Sequence, residues 1–235
     1  MKTYRTRSQL KSEVKQLLHG NWSKAILLYI IPLVLLAISN GSGSNSRTNV
    51  NYGNPNFEIT HFASVALSAG IITFILSLIF LLITLSATFR GLDWIEDPEL
   101  DFSPIQSNFT YFRSPAWWQL IIIYVLIGIF TFLWTLLLVI PGIIKGIAYS
   151  QTYFVYKDLN DRGLASNYSL TDYITRSRQL MNGNKWRYFV LQLSFIGWWI
   201  LGFISLGIGF IWIYPYYKLT MANFYHDLVS ENSIN

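Results

Sequence analysis

Residues 114–144 read SPAWWQLIIIYVLIGIFTFLWTLLLVIPGII and contain no charged side chain. A membrane helix needs roughly 20 mostly apolar residues to cross the hydrocarbon layer. The stretch is long for one span, and Pro141-Gly142 interrupts its far end. Two readings follow. It is either one long helix broken at Pro141, or two spans joined by a tight turn at Ile140-Pro141-Gly142. Residues 62–89 and 188–217 are also free of charge, and a shorter apolar run starts at Trp22. The run from 188 poses the same question, with a candidate turn at Leu206-Gly207-Ile208-Gly209.

Charge placement decides between the readings. Single spans would leave residues 145–187 outside, with Lys145, Lys157, Arg162, Arg176, Arg178, Lys185 and Arg187 on the face that membrane proteins keep poor in cations. Hairpins give six spans with both termini cytoplasmic. Of the 17 lysines and arginines, only Arg47 then lies outside, and Lys145 lies near the outer end of the fourth span. The sequence therefore predicts an all-α, polytopic protein of the cell membrane. Its six transmembrane helices form three consecutive hairpins.

Composition agrees. Of the 235 residues, 52% are hydrophobic and only 12% are charged, against about 25% in soluble domains. So little charge cannot cover a soluble surface. The 9 Trp and 15 Tyr suit the membrane–water interface, where a ring is half dry and half wet. The formal net charge of +5 sits at the ends of apolar runs, which points to a membrane surface rather than nucleic acid. Cysteine is absent, which excludes disulfides and thiolate metal sites. The basic start and the absence of a small-x-small site after the first apolar run argue for a retained first span rather than a cleaved leader.

An internal repeat organises the chain. Leu17-Leu18-His19-Gly20-Asn21-Trp22 resembles Leu180-Met181-Asn182-Gly183-Asn184-Lys185-Trp186, and Tyr156-Lys157-Asp158-Leu159 resembles Tyr225-His226-Asp227-Leu228. Three units follow, at about 3–93, 102–161 and 169–228. Each has a short amphipathic interfacial helix, an entry tryptophan, a membrane hairpin and an aspartate after the exit (Asp93, Asp158, Asp227). In the first helix Leu10, Val14, Leu17 and Leu18 form an apolar stripe. It lies either on an anionic leaflet or on the protein's own loops. The second begins at Ser103-Pro104, an N-cap followed by proline, with Ile105, Phe109 and Phe112 at helical spacing. The third begins near Ser169, with Asp172 at capping-box spacing and Tyr173, Ile174, Leu180 and Met181 on its apolar face. The Asn/Gly/Ser-rich segment 40–61 reads as a flexible extracytoplasmic loop.

Residues 180–199 (LMNGNKWRYFVLQLSFIGWW), Gly207-Ile208-Gly209, Pro215-Tyr216 and Phe224-Tyr225 resemble the bacterial integral-membrane family known as domain of unknown function nine-seven-five. Ile140-Pro141-Gly142-Ile143-Ile144-Lys145 with Tyr149 and Asp158, and Leu10-Lys11 through Gly20-Asn21-Trp22, share that likeness. The resemblance covers nearly the whole chain and is strongest in the third unit. It implies a membrane protein of low-GC Gram-positive type and no particular activity.

The candidate site is a polar stripe in the fourth span. Lys145, Tyr149, Thr152, Tyr153 and Tyr156 share one helical face that must meet protein or water rather than lipid. They either line a substrate cavity or make interhelical hydrogen bonds. Lys145 could bind a lipid phosphate or a peptide carboxylate. Its position soon after the turn favours a side chain that snorkels to the outer surface. Tyr214, Tyr217, Lys218 and Asn223 form a weaker counterpart in the sixth span. Trp22, Trp117, Trp118 and Trp186 are the interfacial anchors. His19, His61 and His226 have no metal-ligand spacing, and no nucleophile–base or paired-carboxylate arrangement lies within the spans. The chain is therefore expected to be non-enzymatic, without cofactor or metal. It would act as an envelope scaffold, a lipid-binding protein, or an accessory or immunity-type protein. Its expected partners are membrane lipids and other membrane proteins, not nucleic acid. The alternative is a small transporter or permease component that uses the stripe.

Overall fold

The computed structural model describes the backbone of residues 4–41 and 55–233, and among these residues every regular element is helical. The order is α1 (Arg7–Leu18), α2 (Trp22–Gly41), α3 (Pro55–Glu96), α4 (Pro104–Ser107), α5 (Trp117–Leu137), α6 (Val139–Tyr149), α7 (Thr152–Asp161), α8 (Leu170–Leu180), α9 (Lys185–Leu193), α10 (Ile196–Ile204) and α11 (Phe210–Ser233). Short 3₁₀ turns lie at Thr110–Phe112 and Ala165–Asn167. Three segments are long and apolar enough to cross a membrane: Gly70–Glu96, Trp117–Leu137 and Lys185–Ile204. A fourth is added if Arg7–Leu18 and Trp22–Ile38, bent by 104°, count as one.

Several elements depart from the sequence expectation. The turn between α5 and α6 falls at Leu138, whose backbone is extended (φ −161°, ψ 140°). Pro141 lies inside the first turn of α6, where a missing N–H costs nothing because that group has no intrahelical partner. The expected second interfacial helix is only the single turn α4 and the 3₁₀ turn after it. Ser103 precedes it without a side-chain capping bond, and Ile105, Phe109 and Phe112 are exposed. Helix α3 begins at Pro55, so the expected loop 40–61 is helical from there, and residues 42–54, with Arg47, lie outside the described residues.

The joints of the repeated motif match in conformation. Gly20 and Gly183 have φ of +82° and +80°, a region open to glycine without steric cost. Asn21 donates to the Leu17 carbonyl at 3.2 Å, and Asn184 donates to the Leu180 carbonyl at 3.2 Å. Leu18 and Met181, just before each joint, are fully buried. No such glycine joint precedes Trp117.

Helix packing follows a cycle. Helix α1 packs on α11, α4 on α2 and α3, and α8 on α5, α6 and α7. The buried faces are Leu10, Val14 and Leu18 of α1, and Tyr173, Ile174 and Ser177 of α8. Protein therefore covers the apolar stripe of α1. Each packed segment also supplies a polar group to an interrupted helix. Pro32 lacks the N–H that would reach the Leu28 carbonyl, and Asn108 donates to that oxygen at 3.0 Å. The helix after α5 breaks between α6 and α7, and Ser177 donates to the Ala148 carbonyl there at 2.8 Å. Helices α9 and α10 break at Ser194, whose carbonyl accepts from the Lys11 ammonium at 3.0 Å.

Large apolar side chains are exposed over much of α3, α5, α6 and α10, including Ile71, Phe74, Phe132, Leu136, Ile140, Phe203 and Ile204. A soluble monomer does not present apolar surface on this scale.

Candidate functional site

The stripe of the fourth span divides on folding. Tyr149 is buried against Phe130 of α5, with ring centroids 6.4 Å apart, and beside Ile174 of α8. Thr152 is fully buried and donates to the Tyr149 carbonyl at 2.8 Å. Tyr153 packs at the edge of the cluster that holds Leu82, Phe89 and Tyr225. Tyr156 is fully buried, donates to Gln119 at 2.6 Å and meets Tyr173 edge-on at 5.2 Å. Lys145 belongs to another setting. Its ammonium lies over the Trp134 ring at 4.2 Å, and the charges that act on it are Arg178 and Lys185.

Two residues of α9 went unread in the sequence. The Tyr188 hydroxyl faces Ser150, Gln192 and Gln151, and the Tyr217 hydroxyl faces Gln192. Gln192 and Tyr188 thus connect the polar residues at the α6–α7 break with α11. Four residues apart on one helix face, they are visible as a polar pair, but the apolar letters around them gave no reason to single them out. Gln151 is fully buried and donates to Ser150 at 2.8 Å, while its carbonyl oxygen has no partner. Of the anchors, Trp186 is 72% exposed, Trp117 and Trp118 are exposed, and Trp22 is partly buried against the core.

The larger concentration of charge lies at three clefts. The first, of about 410 Å³, lies between Arg5 and Glu13 near α1, Ile95 of α3, and Asn223 and His226 of α11. The second, about 240 Å³, lies between Arg90 and Asp93 of α3, Tyr111, and Lys157 and Asp161 of α7. The third, about 410 Å³, lies between Asp158 and Arg162, Arg176 of α8, and Tyr225 of α11. Each is bounded by two exit segments and one packed segment.

Ion pairs line the first two clefts or lie beside them, and in the first Arg5 pairs with Glu13 at 3.1 Å. Asp227, whose side chain is 3% exposed, pairs with Arg187 and accepts from the Arg5 backbone N–H at 3.2 Å. Arg187 also donates to the Arg5 carbonyl. Lys157, 6% exposed, pairs with Asp93 and with Asp161 at 2.6 Å. At the third cleft Arg162 pairs with Asp158 at 2.8 Å. Ser169 and Asp172 form a capping box in which Asp172 accepts from the Ser169 N–H at 2.7 Å. Hydrogen bonds from Ser169 hold the Asp172 carboxyl below its usual range. Arg5, Glu13, Arg90, Asp93, Lys157 and Asp161 at the first two clefts each face an opposite charge. No group of three or more His, Cys, Asp or Glu able to hold a metal occurs among the described residues.

Residues 135–232 match the family model described as Protein of unknown function (DUF975). The match spans less than half of the chain and supports membership of that family. The match falls on the second and third units, where the likeness of residues 180–199 and of Ile140 through Lys145 was read from the sequence. No curated protein and no solved structure matches the chain.

Proposed function

We propose that the chain is a non-enzymatic polytopic protein of the bacterial cell membrane, with six spans in three hairpins and both termini cytoplasmic. It acts as an envelope scaffold or accessory protein that engages lipids and other membrane proteins. The spans are α2, α3, α5, α6 with α7, α9 with α10, and α11. Support for the repeat comes from the cycle of packing, in which α1 meets the third unit, α4 the first, and α8 the second. The paired glycine joints add to it.

One observation favours a scaffold over a transporter. Tyr149, Thr152 and Tyr156 are packed against side chains, and none of the three clefts is lined by them. A stripe that carries a solute must be wetted along its length. Proteoliposomes containing only this protein test the choice. The scaffold reading predicts no ion or solute flux above that of empty vesicles. Flux abolished by Tyr149→Phe with Thr152→Val would overturn it. Native extraction, with mass-spectrometric identification of co-purifying lipids and proteins, would then name the partners.

A further inference from the structure

The three clefts differ in their balance of charge. In the first, Arg5 is matched by Glu13 at 3.1 Å. In the second, Arg90 pairs with Asp93 at 3.3 Å and Lys157 with Asp161 at 2.6 Å, so two cations meet two carboxylates. The third is lined by two arginines and one carboxylate. Arg162 takes that carboxylate, Asp158, at 2.8 Å. Arg176 of α8 makes no ion pair among the described residues. Asp172 stands four residues before it, the spacing at which a helix pairs an acid with a base. That carboxylate instead caps the helix by accepting from the Ser169 N–H at 2.7 Å. Tyr168 holds Arg176 in place: its hydroxyl accepts from Nη2 at 2.8 Å, and its ring centroid lies 4.5 Å from the guanidinium. A tyrosine fixes the side chain without neutralising it.

The two arginines border one cavity of about 410 Å³, and both are exposed. A guanidinium carries five N–H donors, and the contacts above leave most of them open. Gln179, three residues after Arg176 on the same helix, adds an amide to the cavity wall, and Val155 and Leu159 add apolar surface. Two guanidinium forks around one space match an oxyanion with several acceptor oxygens, which is the geometry of a phosphate. A surplus of one positive charge suits a singly charged phosphodiester, and the apolar wall suits the lipid that carries one. We propose that Arg162, Arg176 and Gln179 form a binding site for the phosphate of an anionic phospholipid. The assignment rests on the membrane reading above, which puts all three residues in one cytoplasmic segment, so a single leaflet serves the whole site.

The test is native mass spectrometry of the full-length chain in mild detergent, titrated with phosphatidylglycerol, phosphatidylcholine or inorganic phosphate. The wild type should retain phosphatidylglycerol in preference to phosphatidylcholine. The Arg162→Gln, Arg176→Gln double variant should weaken that binding on the order of twentyfold, the product of about fivefold for each cation near an anionic headgroup. Asp158→Asn removes the competing carboxylate and should strengthen it. Arg113→Gln, an exposed cation that lines none of the three clefts, should change nothing. Equal retention of the two lipids by the wild type, an undiminished preference in the double variant, or no gain in Asp158→Asn would overturn the site. Displacement of the lipid by an equal concentration of inorganic phosphate would overturn the lipid as the source of the phosphate. Those outcomes leave the membrane reading intact, whereas recovery of the chain in the aqueous fraction without detergent would remove both.

Discussion

The contact between Asn108 and the Leu28 carbonyl shows how one residue repairs another. Pro32 leaves that carbonyl without its helical donor, and the Asn108 amide supplies one from a segment 80 positions away. Leaving a buried carbonyl unpaired costs about 1–3 kcal/mol. Asn108→Ala should therefore lower the stability of the detergent-purified protein by that amount. In a Pro32→Ala background the helix provides its own N–H, so the loss should shrink. Equal losses in both backgrounds, followed by thermal unfolding, would refute the account. The two principal ion pairs make a ranked prediction. Arg187→Met leaves Asp227, 3% exposed, with only the Arg5 guanidinium at 3.8 Å as counter-charge, so its cost should approach the roughly 3–5 kcal/mol of a broken buried pair. Lys157→Met leaves Asp93, 28% exposed, paired with Arg90 at 3.3 Å and partly solvated by water, so its cost should be smaller. The reverse order in denaturation experiments would contradict the burial argument. At Ser169 the sign runs through Asp172, whose folded pKa is lowered. Its contribution is present above the unfolded carboxylate range and fades as pH falls through that range toward the lowered folded value. Asp172→Asn should flatten the acid side of the stability profile.

At the scale of elements, the close approach of α5 and α6 depends on one missing side chain. A Cβ at Gly142 would lie 2.9 Å from the Thr135 Cα, and backbone cannot move aside cheaply. Gly142→Ala should destabilise by about 1–3 kcal/mol. Gly128→Ala, with nothing within 4 Å of the added carbon, should be neutral or slightly stabilising. Equal effects in melting experiments would show that the hairpin is not tightly packed. What the sequence made legible here was uneven. Apolar runs, the Ser169 cap and the Gly20 and Gly183 joints are local signals, and each was readable. The turn at Leu138 was not, because Pro141 and Gly142 look like a turn although proline is equally at home in a first helical turn. The breaks at Ser150-Gln151 and at Ser194 carry no glycine or proline. They are compensated by Ser177 and Lys11, which only tertiary packing brings near. For the same reason, the stripe could be read as a helical face, but not its division between buried tyrosines and Lys145.

Over the whole molecule, charge and apolar surface are separated. Ion-paired clefts occupy the ends where chain segments enter and leave, and bare apolar helices occupy the rest. The cycle of packing joins first unit to second, second to third, and third back to first. That arrangement accounts for a chain with few charges and for the burial of Tyr149, Thr152 and Tyr156. Because the native chain has no cysteine, single cysteines at Leu138, Gly163 and Leu206, with a fourth after residue 4, can be labelled selectively in intact and in opened cells by a membrane-impermeant thiol reagent. Three hairpins with cytoplasmic termini predict that the cysteines after residue 4 and at Gly163 react only once cells are opened, while those at Leu138 and Leu206 react in intact cells. Labelling at Gly163 in intact cells would contradict the account.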